Sequence, residues 1–220
     1  MTLLNSFHLS GPSCSGKTTA TRILRQVLKK SVVVYQDDFY KPEEQVPIHQ
    51  ESQLKNWDCP ESVDFDKFAA MIQHVRTHQG QLPKGYDSNE ELNVHDGSSH
   101  VSSETMDHIK HLLAPFVDDV FVFVDGFMLY WDAKVASQLD CKFDFSSDYQ
   151  VLKSRREQRQ GYHTLEGYWV DPPGYFDRVV WPEYLRLHQH EAKDVYTIDT
   201  TQHDINQTVV LLAQKIVSVF

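Results

Sequence analysis

The residues best suited to chemistry form a glycine-containing loop near the start of the chain. The loop reads Gly11-Pro12-Ser13-Cys14-Ser15-Gly16-Lys17-Thr18, which fits the pattern G-x-x-x-x-G-K-[S/T] without a gap. Its glycines let the backbone turn tightly, so that consecutive N–H groups point inward and bind an anion. Lys17 adds a point charge for the outer phosphates, and the Thr18 hydroxyl suits Mg²⁺. The loop therefore predicts a site for nucleotide phosphates and magnesium.

Acidic residues follow two apolar runs that are typical of buried parallel strands. Residues 31–36 form one run and lead into Asp37-Asp38, and residues 120–124 form another and end in Asp125. Open α/β sheets bind their ligands at the carboxyl ends of the strands. Beside a phosphate loop, Asp125 is placed to hold Mg²⁺, directly or through water, and Asp37-Asp38 to act in catalysis. A polar turn or helix cap is the alternative for the acid pair.

An aromatic–acid pair fits a site for an acceptor molecule. The indole face of Trp57 is suited to stacking a flat ring, and the neighbouring Asp58 is suited to accepting hydrogen bonds from hydroxyl groups. An anchoring tryptophan beside a helix N-terminal cap is the structural alternative for this pair.

A cluster of cations precedes a loop bounded by glycine and proline. Four of them lie within seven residues: Lys153, Arg155, Arg156 and Arg159. A solvated helix face would explain part of the cluster. A basic helix leading into such a loop also fits a lid that closes over a triphosphate, where arginine stabilises the transferring charge.

The elements that position these residues alternate between strands and helices. Apolar spacing predicts strands at 6–9, 31–36, 120–125, 141–145 and 195–199. It predicts helices at 19–28, 62–78, 103–115, 149–158, 175–193 and 204–220. This alternation predicts an α/β fold of three layers, α/β/α, with a doubly wound parallel sheet. We expect one domain over residues 1–220, with an acceptor-binding insertion at about 41–103 and an Arg-rich lid at about 159–175.

Within the insertion, residues 79–103 are polar and contain glycine and serine. This composition predicts an exposed loop or an irregular hairpin.

Composition excludes several function classes. The formal net charge of −10 argues against nucleic acid or an anionic membrane as a partner. Three scattered cysteines match neither a disulfide framework nor a zinc pattern, which favours a reducing compartment. We find neither a signal peptide nor an apolar run of membrane-spanning length, so a cytoplasmic protein is expected. No obligate protein partner is evident.

The combination of parts favours a small-molecule kinase over other nucleotide-binding proteins. The chain has no N-K-x-D sequence for guanine recognition, and its D-x-x-G match, residues 171–174, falls in the expected lid. A phosphate loop, strand-end acids, an Arg-rich lid and an insertion for an acceptor together fit phosphoryl transfer. A nucleotide-binding regulator without transfer activity is the alternative from a different class.

The chain resembles nicotinamide riboside kinases, within the uridine kinase-like P-loop kinases. The resemblance runs from the phosphate loop to about Leu187. It is carried by residues 11–19, by Q-D-D-F-Y-K-P at 36–42, N-W-D at 56–58, V-D-G-F-M at 124–128, R-R-E-Q-R-Q-G-Y at 155–162, P-G-Y-F-D at 173–177 and V-W-P at 180–182. A uridine/cytidine kinase or another small-metabolite kinase on the same scaffold is the nearest alternative.

The resemblance implies roles on the acceptor side. Asp37 would be the general base for the ribose 5′-hydroxyl of nicotinamide riboside, and nicotinic acid riboside would also be accepted. Trp57 would stack on the nicotinamide ring, and Tyr162 would close its other side. Asp58 would hold the ribose hydroxyls, and Arg156 would reach the substrate. The implied acceptor-binding residues are Asp37, Phe39, Tyr40, Trp57, Asp58, Arg156 and Tyr162, and Asp37, Lys17 and Arg156 are the implied catalytic residues.

The resemblance also implies ATP and Mg²⁺ as cofactors. The magnesium site would consist of Thr18, Asp37 and Asp125, the last at a position where the family often has Glu. The implied ATP-binding residues are Gly11, Pro12, Ser13, Cys14, Ser15, Gly16, Lys17, Thr18, Thr19, Arg155 and Arg159. Adenine contacts would come from the loop after the last strand, around residues 201–203. Asp37 is expected to act with an ordinary carboxylate pKa.

Overall fold

Five parallel strands form the central sheet of the computed structural model, which describes residues 4–92, 97–159, 161–164, 167–188 and 194–220. The strands are β1 (Leu4–Ser10), β2 (Ser31–Tyr35), β3 (Val120–Asp125), β4 (Cys141–Ser146) and β7 (Val195–Asp199). Their order across the sheet is β2-β3-β1-β4-β7. Strand β1 lies in the middle of the sheet, β2 and β3 lie on one side of it, and β4 and β7 lie on the other. The doubly wound parallel sheet is thus confirmed, and its crevice lies beyond β1, where the winding reverses.

The strand register brings the predicted acids to the edge that carries the phosphate loop. Asp125 pairs with Leu9 of β1 and with Tyr35 of β2. The strands therefore end level with one another, and the residues that follow them meet at one edge of the sheet.

Helices cover both faces of the sheet. They are α1 (Lys17–Val27), α2 (Phe65–Thr77), α3 (Ser103–Leu113), α4 (Ala133–Ala136), α5 (Tyr149–Gln158), α6 (Trp181–Leu187) and α7 (Ile205–Val219). Buried residues of α1, α3 and α7 form one apolar cluster with the sheet, and those of α2 and α4 form another. The predicted three-layer arrangement is confirmed.

Side-chain caps fix where several helices begin. The Asp64 carboxylate accepts the Lys67 N–H, so α2 starts at Phe65 rather than at residue 62. Asp204 and Gln207 form a capping box at the start of α7. The predicted helix 175–193 is different in form, because it begins as a π-helix over Phe176–Val180 and its α-helical part ends at Leu187. Residues 189–193 lie outside the described residues.

The lid and the insertion contain short elements that the pattern did not predict. Antiparallel strands β5 (Tyr162–Thr164) and β6 (Gly167–Trp169) form a small hairpin in the lid. The described part of 79–103 contains short 3-10 turns at Asn89–Leu92 and Ser98–His100. The prediction that this stretch is exposed was wrong for Tyr86, Asn89 and Glu90, which are half-buried against the cleft. Residues 93–96 lie outside the described residues.

No helix within the described ranges combines the length and the apolar character that crossing a membrane requires.

Candidate active site

The phosphate loop follows β1 directly and ends in the first turn of α1. Gly11 has φ 131° and Gly16 has φ 95°, values that favour glycine. The Lys17 ammonium lies inside the loop and donates to the Pro12 carbonyl at 2.9 Å. Burial lowers the pKa of Lys17, and the opposing attraction comes first from Asp125 and then from Asp37. The fold therefore buries the lysine within the electrostatic attraction of two carboxylates.

Gly11 has no room for a side chain. A Cβ on this residue would lie 2.3 Å from the backbone oxygen of Phe145, in the neighbouring strand β4. We expect Gly11→Ala to shift the loop away from β4, to lower the free energy of unfolding by about 2–4 kcal/mol and to weaken ATP binding. Thermal unfolding and ATP titration check this. Gly85→Ala is the control, because its φ is also positive, at 77°, but no atom lies near its Cβ position. Equal losses in both variants would contradict the steric explanation.

A glutamine ties the two acidic turns together. The four residues after β2, Gln36–Phe39, form a 3-10 turn. The Gln36 side-chain oxygen accepts the backbone N–H groups of Phe127 and Met128, at 2.9 and 3.1 Å. The turn that carries Asp37 is thereby fastened to the turn that follows Asp125.

Asp125 lies buried beside the start of α1. Thr18 donates a hydrogen bond to its carboxylate, and the Thr21 hydroxyl lies 3.5 Å away. Burial raises the pKa of Asp125 to about 6, with the attraction of Lys17 opposing that rise. Thr18 and Asp125, the two side chains that were expected to share a magnesium site, therefore lie in contact.

The surroundings of Asp37 differ from the expectation of an ordinary carboxylate. Its side chain is open to the cleft, but protein surrounds the cleft on several sides. This desolvation raises the pKa of Asp37, against the attraction of Lys17, Arg159 and Arg156. A raised pKa makes Asp37 a stronger proton acceptor than a free aspartate.

The side chains at this edge fit a magnesium nucleotide. Thr18, Asp37 and Asp125 supply the hard oxygen ligands that Mg²⁺ prefers. The Ser15 hydroxyl is buried without a hydrogen-bond partner, which leaves a polar atom of the phosphate loop for a ligand. Among the described residues no cluster of three or more His, Cys, Asp or Glu side chains would hold a metal.

Two cavities meet at Asp37. The first, of about 660 Å³, is lined by the phosphate loop from Ser13 to Thr19 and by Asp125. The second, of about 980 Å³, lies between the insertion and the lid hairpin. Asp37, Tyr40 and Glu90 line both. We call them the nucleotide cavity and the acceptor cavity.

Most of the predicted nucleotide-binding residues share the nucleotide cavity. Its lining includes Ser13, Cys14, Ser15, Gly16, Lys17, Thr18, Thr19, Arg155 and Arg159. Gly11 packs behind the loop against β4, and Pro12 contributes its carbonyl to Lys17. Thr200 and His203 also line this cavity, whereas the Thr201 hydroxyl oxygen accepts a hydrogen bond from the backbone N–H of Asp148. The loop after β7 therefore does lie beside the nucleotide cavity.

Aromatic rings dominate the acceptor cavity where it meets the lid. Trp57 contacts Tyr40 and Trp169 edge to face, with ring centroids 5.4 and 5.9 Å apart. Tyr168, Trp169 and the buried Phe39 also line this cavity. Tyr162 pairs with Trp169 through its backbone, but its side chain lies outside what the structure describes. Trp169 therefore lines the acceptor cavity, a role that no pattern in the sequence indicated.

Asp58 is buried and lines the nucleotide cavity, near Asp37 and Tyr40, rather than the acceptor cavity. It does not cap a helix, because Asp64 is the cap of α2. Its Oδ2 lies 3.2 Å from the Tyr175 hydroxyl, which also accepts the Trp57 backbone N–H. Burial raises the pKa of Asp58 to about 6, opposed first by Arg156. The capping alternative for Asp58 is thus excluded.

The arginines at the end of α5 differ in their partners. Arg156 is buried and forms an ion pair with Asp171 of the lid, with two hydrogen bonds of 2.5 and 2.9 Å. It also donates to the Ser13 hydroxyl at 2.6 Å, so it joins the lid to the phosphate loop. Arg155 donates to the carbonyls of Cys14 and Thr200, on the nucleotide side. Arg159 is exposed, and its charge opposes the rise in the pKa of Asp37.

Three of the cleft residues had no local signal in the sequence. Gln36 and Glu90 take their roles from contacts with residues about 70 to 90 positions away. Asp171 belongs to a D-x-x-G match in the sequence, but nothing local indicates its ion pair with Arg156, which lies on α5. A buried acid in a polar segment is recognisable only from its tertiary partner.

Proteins similar to this chain were found by sequence. The nicotinamide riboside kinase of Schizosaccharomyces pombe is 39% identical over 185 residues, which cover 83% of this chain and 78% of that protein. The nicotinamide riboside kinase of Saccharomyces cerevisiae is 34% identical and covers 82% of this chain and 75% of its own length. Human nicotinamide riboside kinase 2 is 28% identical and covers 86% and 70%, respectively. No protein-family model matches the chain.

Solved structures are more distant. A possible uridine kinase from Bacillus stearothermophilus covers 89% of this chain and 90% of its own, with a TM-score of 0.47 and 17% identity. The sequence relatives are much closer and extend over most of the chain. Together with the matching motifs in the cleft, they show that this chain belongs to the nicotinamide riboside kinase family.

Proposed function

We propose that this protein transfers the γ-phosphoryl group of ATP to the ribose 5′-hydroxyl of nicotinamide riboside. The products are the mononucleotide, an intermediate of NAD biosynthesis, and ADP. Nicotinic acid riboside is proposed as a second acceptor. The observation that carries the proposal is the position of Asp37 in the shared wall of the nucleotide and acceptor cavities, because a general base for transfer must reach both substrates.

The donor half of the reaction is assigned to the phosphate loop and α5. Backbone N–H groups of the loop and the Lys17 ammonium would bind the β- and γ-phosphates. Arg155 lies beside the loop carbonyl of Cys14 and the Thr200 backbone, where it would bind ATP. Thr18, Asp125 and Asp37 would hold Mg²⁺, which when bound neutralises charge on the phosphates.

The acceptor half is assigned to Asp37. As the 5′-oxygen attacks the γ-phosphorus, its proton passes to the Asp37 carboxylate. The new oxygen–phosphorus bond forms while the bond from that phosphorus to the β–γ bridging oxygen breaks, and ADP leaves. Catalysis of this kind comes mainly from positioning and charge neutralisation.

The acceptor cavity suits a flat cation. Trp57, Tyr40 and Trp169 supply aromatic faces and edges, and a pyridinium ring on such a face gains about 0.5–2 kcal/mol. The lining also has more carboxylates than lysines. The carboxylates are Asp37, Asp38, Glu43, Asp64 and Glu90, and the lysines are Lys41 and Lys67. Lys67 pairs with Asp64, and Glu90 pairs with Arg22 of α1. The balance of the remaining lining charges, Asp37, Asp38 and Glu43 against Lys41, is still negative. This charge favours the pyridinium of nicotinamide riboside over neutral uracil.

The proposal is tested by phosphorylation of a nucleoside panel. Purified protein with ATP and Mg²⁺ is offered nicotinamide riboside, nicotinic acid riboside, uridine, cytidine and no acceptor, and ADP and product are measured. We expect the highest kcat/KM with nicotinamide riboside. A preference for uridine or cytidine would favour the alternative kinase, and ATP turnover that no nucleoside stimulates would favour a regulator.

Asp58→Asn is expected to raise KM for nicotinamide riboside by about 10–100-fold, the loss expected for hydrogen bonds to a charged group. KM for ATP should change by less than about threefold, because the phosphate loop is untouched. Steady-state kinetics with each substrate varied separately check this. Equal effects on both KM values would contradict the assignment to the acceptor. Asp118→Asn is the control, since Asp118 is exposed and pairs with Lys30.

The same variant is expected to be more stable at neutral pH. Burial raises the pKa of Asp58 from 3.8 to about 6, so the ionised carboxylate disfavours the fold above pH 6. Asn removes that cost, worth about 1–3 kcal/mol. The wild type regains stability as the pH falls below 6, so the difference should shrink towards pH 4. Denaturant unfolding at pH 7.5 and pH 4.5 measures both.

Cytoplasmic location and the lack of nucleic acid, membrane and obligate protein partners stay predictions from composition.

A further inference from the structure

The paired acids Asp37 and Asp38 have different surroundings. Asp38 accepts the Tyr86 hydroxyl at 2.7 Å and the Asn89 backbone N–H at 2.8 Å, one on each carboxylate oxygen. Hydrogen bonds from the Ser88 and Asn89 side chains add to these. All four come from a stretch about 50 residues later in the chain, which we call the bridging segment, residues 86–90. Asp38 is therefore occupied by the protein, whereas Asp37 faces both cavities.

The other end of the bridging segment is fastened to α1. The Arg22 guanidinium donates to both the backbone carbonyl and the side chain of Glu90, at 2.8 and 2.9 Å. The side chains of this ion pair are only 9% and 12% exposed, so solvent screens their attraction little. Helix α1 starts at Lys17 in the phosphate loop, so the segment is joined to the nucleotide half of the protein.

The bridging segment thus connects the turn that carries the base to the helix that carries the phosphate loop. Tyr86, Asn89 and Glu90 line the acceptor cavity, and Glu90 also lines the nucleotide cavity. The Tyr86 ring stacks on Phe39, the last residue of the 3-10 turn, with centroids 6.5 Å apart. Gln36 at the other end of that turn is held by Phe127 and Met128. In this turn the Asp37 side chain is the one that faces both cavities, while its neighbours are held by protein contacts.

We propose that the bridging segment sets the position of Asp37 relative to the phosphate loop, with Asp38, Tyr86 and Arg22 as positioning residues. This inference rests on the proposed function. Hydrogen bonds to a buried carboxylate are strong, and a small displacement of a catalytic group lowers the rate steeply. Loosening the segment therefore lowers turnover without altering the phosphate-binding groups themselves.

The test is Tyr86→Phe, which removes one hydroxyl and keeps the ring on Phe39. We expect kcat for nicotinamide riboside, expressed per ATP-binding site, to fall about tenfold. The Kd of ATP should stay within about twofold, and KM for the nucleoside should change less than kcat. Asp38→Ala should cause a fall at least as large. The double variant should be little worse than Asp38→Ala alone, because that variant already lacks the acceptor of the Tyr86 hydroxyl.

The matched control is Tyr149→Phe, which removes a tyrosine hydroxyl that also donates to an aspartate, Asp177, on the exposed side of α5. Its kcat should equal that of the wild type. An unchanged kcat in Tyr86→Phe, or a fall accounted for entirely by fewer ATP-binding sites, overturns the inference. Wild-type activity is measured first, so that absence of transfer to any nucleoside is recognised as failure of the proposed function and not of the positioning.

Discussion

Asp37→Asn is expected to lower kcat for nicotinamide riboside phosphorylation by about 10²–10⁴-fold, the range expected for loss of a general base. The amide keeps the size of the side chain but cannot take the proton of the 5′-hydroxyl. ATP binding should stay within a few-fold, because Lys17 and the loop N–H groups remain. Single-turnover phosphorylation and equilibrium ATP titration measure the two effects separately.

Two controls make the result specific to Asp37. Asp118→Asn removes an exposed carboxylate that precedes β3, at the opposite end of that strand from Asp125, and should leave kcat unchanged. The pH dependence gives a second check. The pKa of Asp37 is raised by its desolvation in the cleft, so wild-type kcat/KM should fall as the pH drops through that raised value and protonates the base. Near-normal turnover in Asp37→Asn would remove the base assignment.

Lys17→Met is expected to lower the rate of phosphoryl transfer strongly and also to weaken ATP binding. The ammonium is buried, and Asp125 and then Asp37 are the largest sources of its electrostatic attraction. Methionine has a similar length but leaves the carboxylates and the incoming phosphates without the compensating charge. We expect kcat to fall about 10²–10³-fold, the range for loss of a preorganised charge at the reacting group, and the Kd of ATP to rise at least about tenfold.

Lys110→Met is the matched control for Lys17, because its ammonium is exposed and pairs with Asp107 on α3. ATP titration and single-turnover kinetics measure both variants. A Lys17→Met protein that binds ATP normally and loses only kcat would contradict the proposed contact with the ground-state phosphates. Together, Asp37→Asn and Lys17→Met should separate the acceptor side of the cleft from the donor side.

The positioning of Asp37 connects these experiments. Gln36 fastens its turn to the residues after Asp125, and Asp38 fastens the same turn to the bridging segment. Arg156 joins the lid to the phosphate loop through Asp171 and Ser13. The contacts that hold the cleft together therefore come from residues distant in sequence, and each is satisfied by protein groups in the structure.

The sequence by itself determined the phosphate loop, the alternation of strands and helices, the doubly wound sheet and the strand-end positions of Asp37 and Asp125. These features follow from local patterns: apolar runs, helical spacing, glycine at a tight turn and a carboxylate where a buried strand ends. The start of α7, which Asp204 caps, was predicted to within one residue, whereas α2 begins three residues later than predicted, after its cap Asp64.

Only the tertiary structure decided that Asp38 is held by protein hydrogen bonds while Asp37 faces both cavities, that Asp58 is a buried cleft residue and no cap, and that residues 86–90 form part of the wall. Side-chain roles of this kind depend on partners far away in the chain: Tyr86 for Asp38, Arg22 for Glu90 and Tyr175 for Asp58. A polar segment has no apolar period from which such partners can be inferred. Its fold is set by a few buried hydrogen bonds and ion pairs, which exist only once the sheet has brought both ends together.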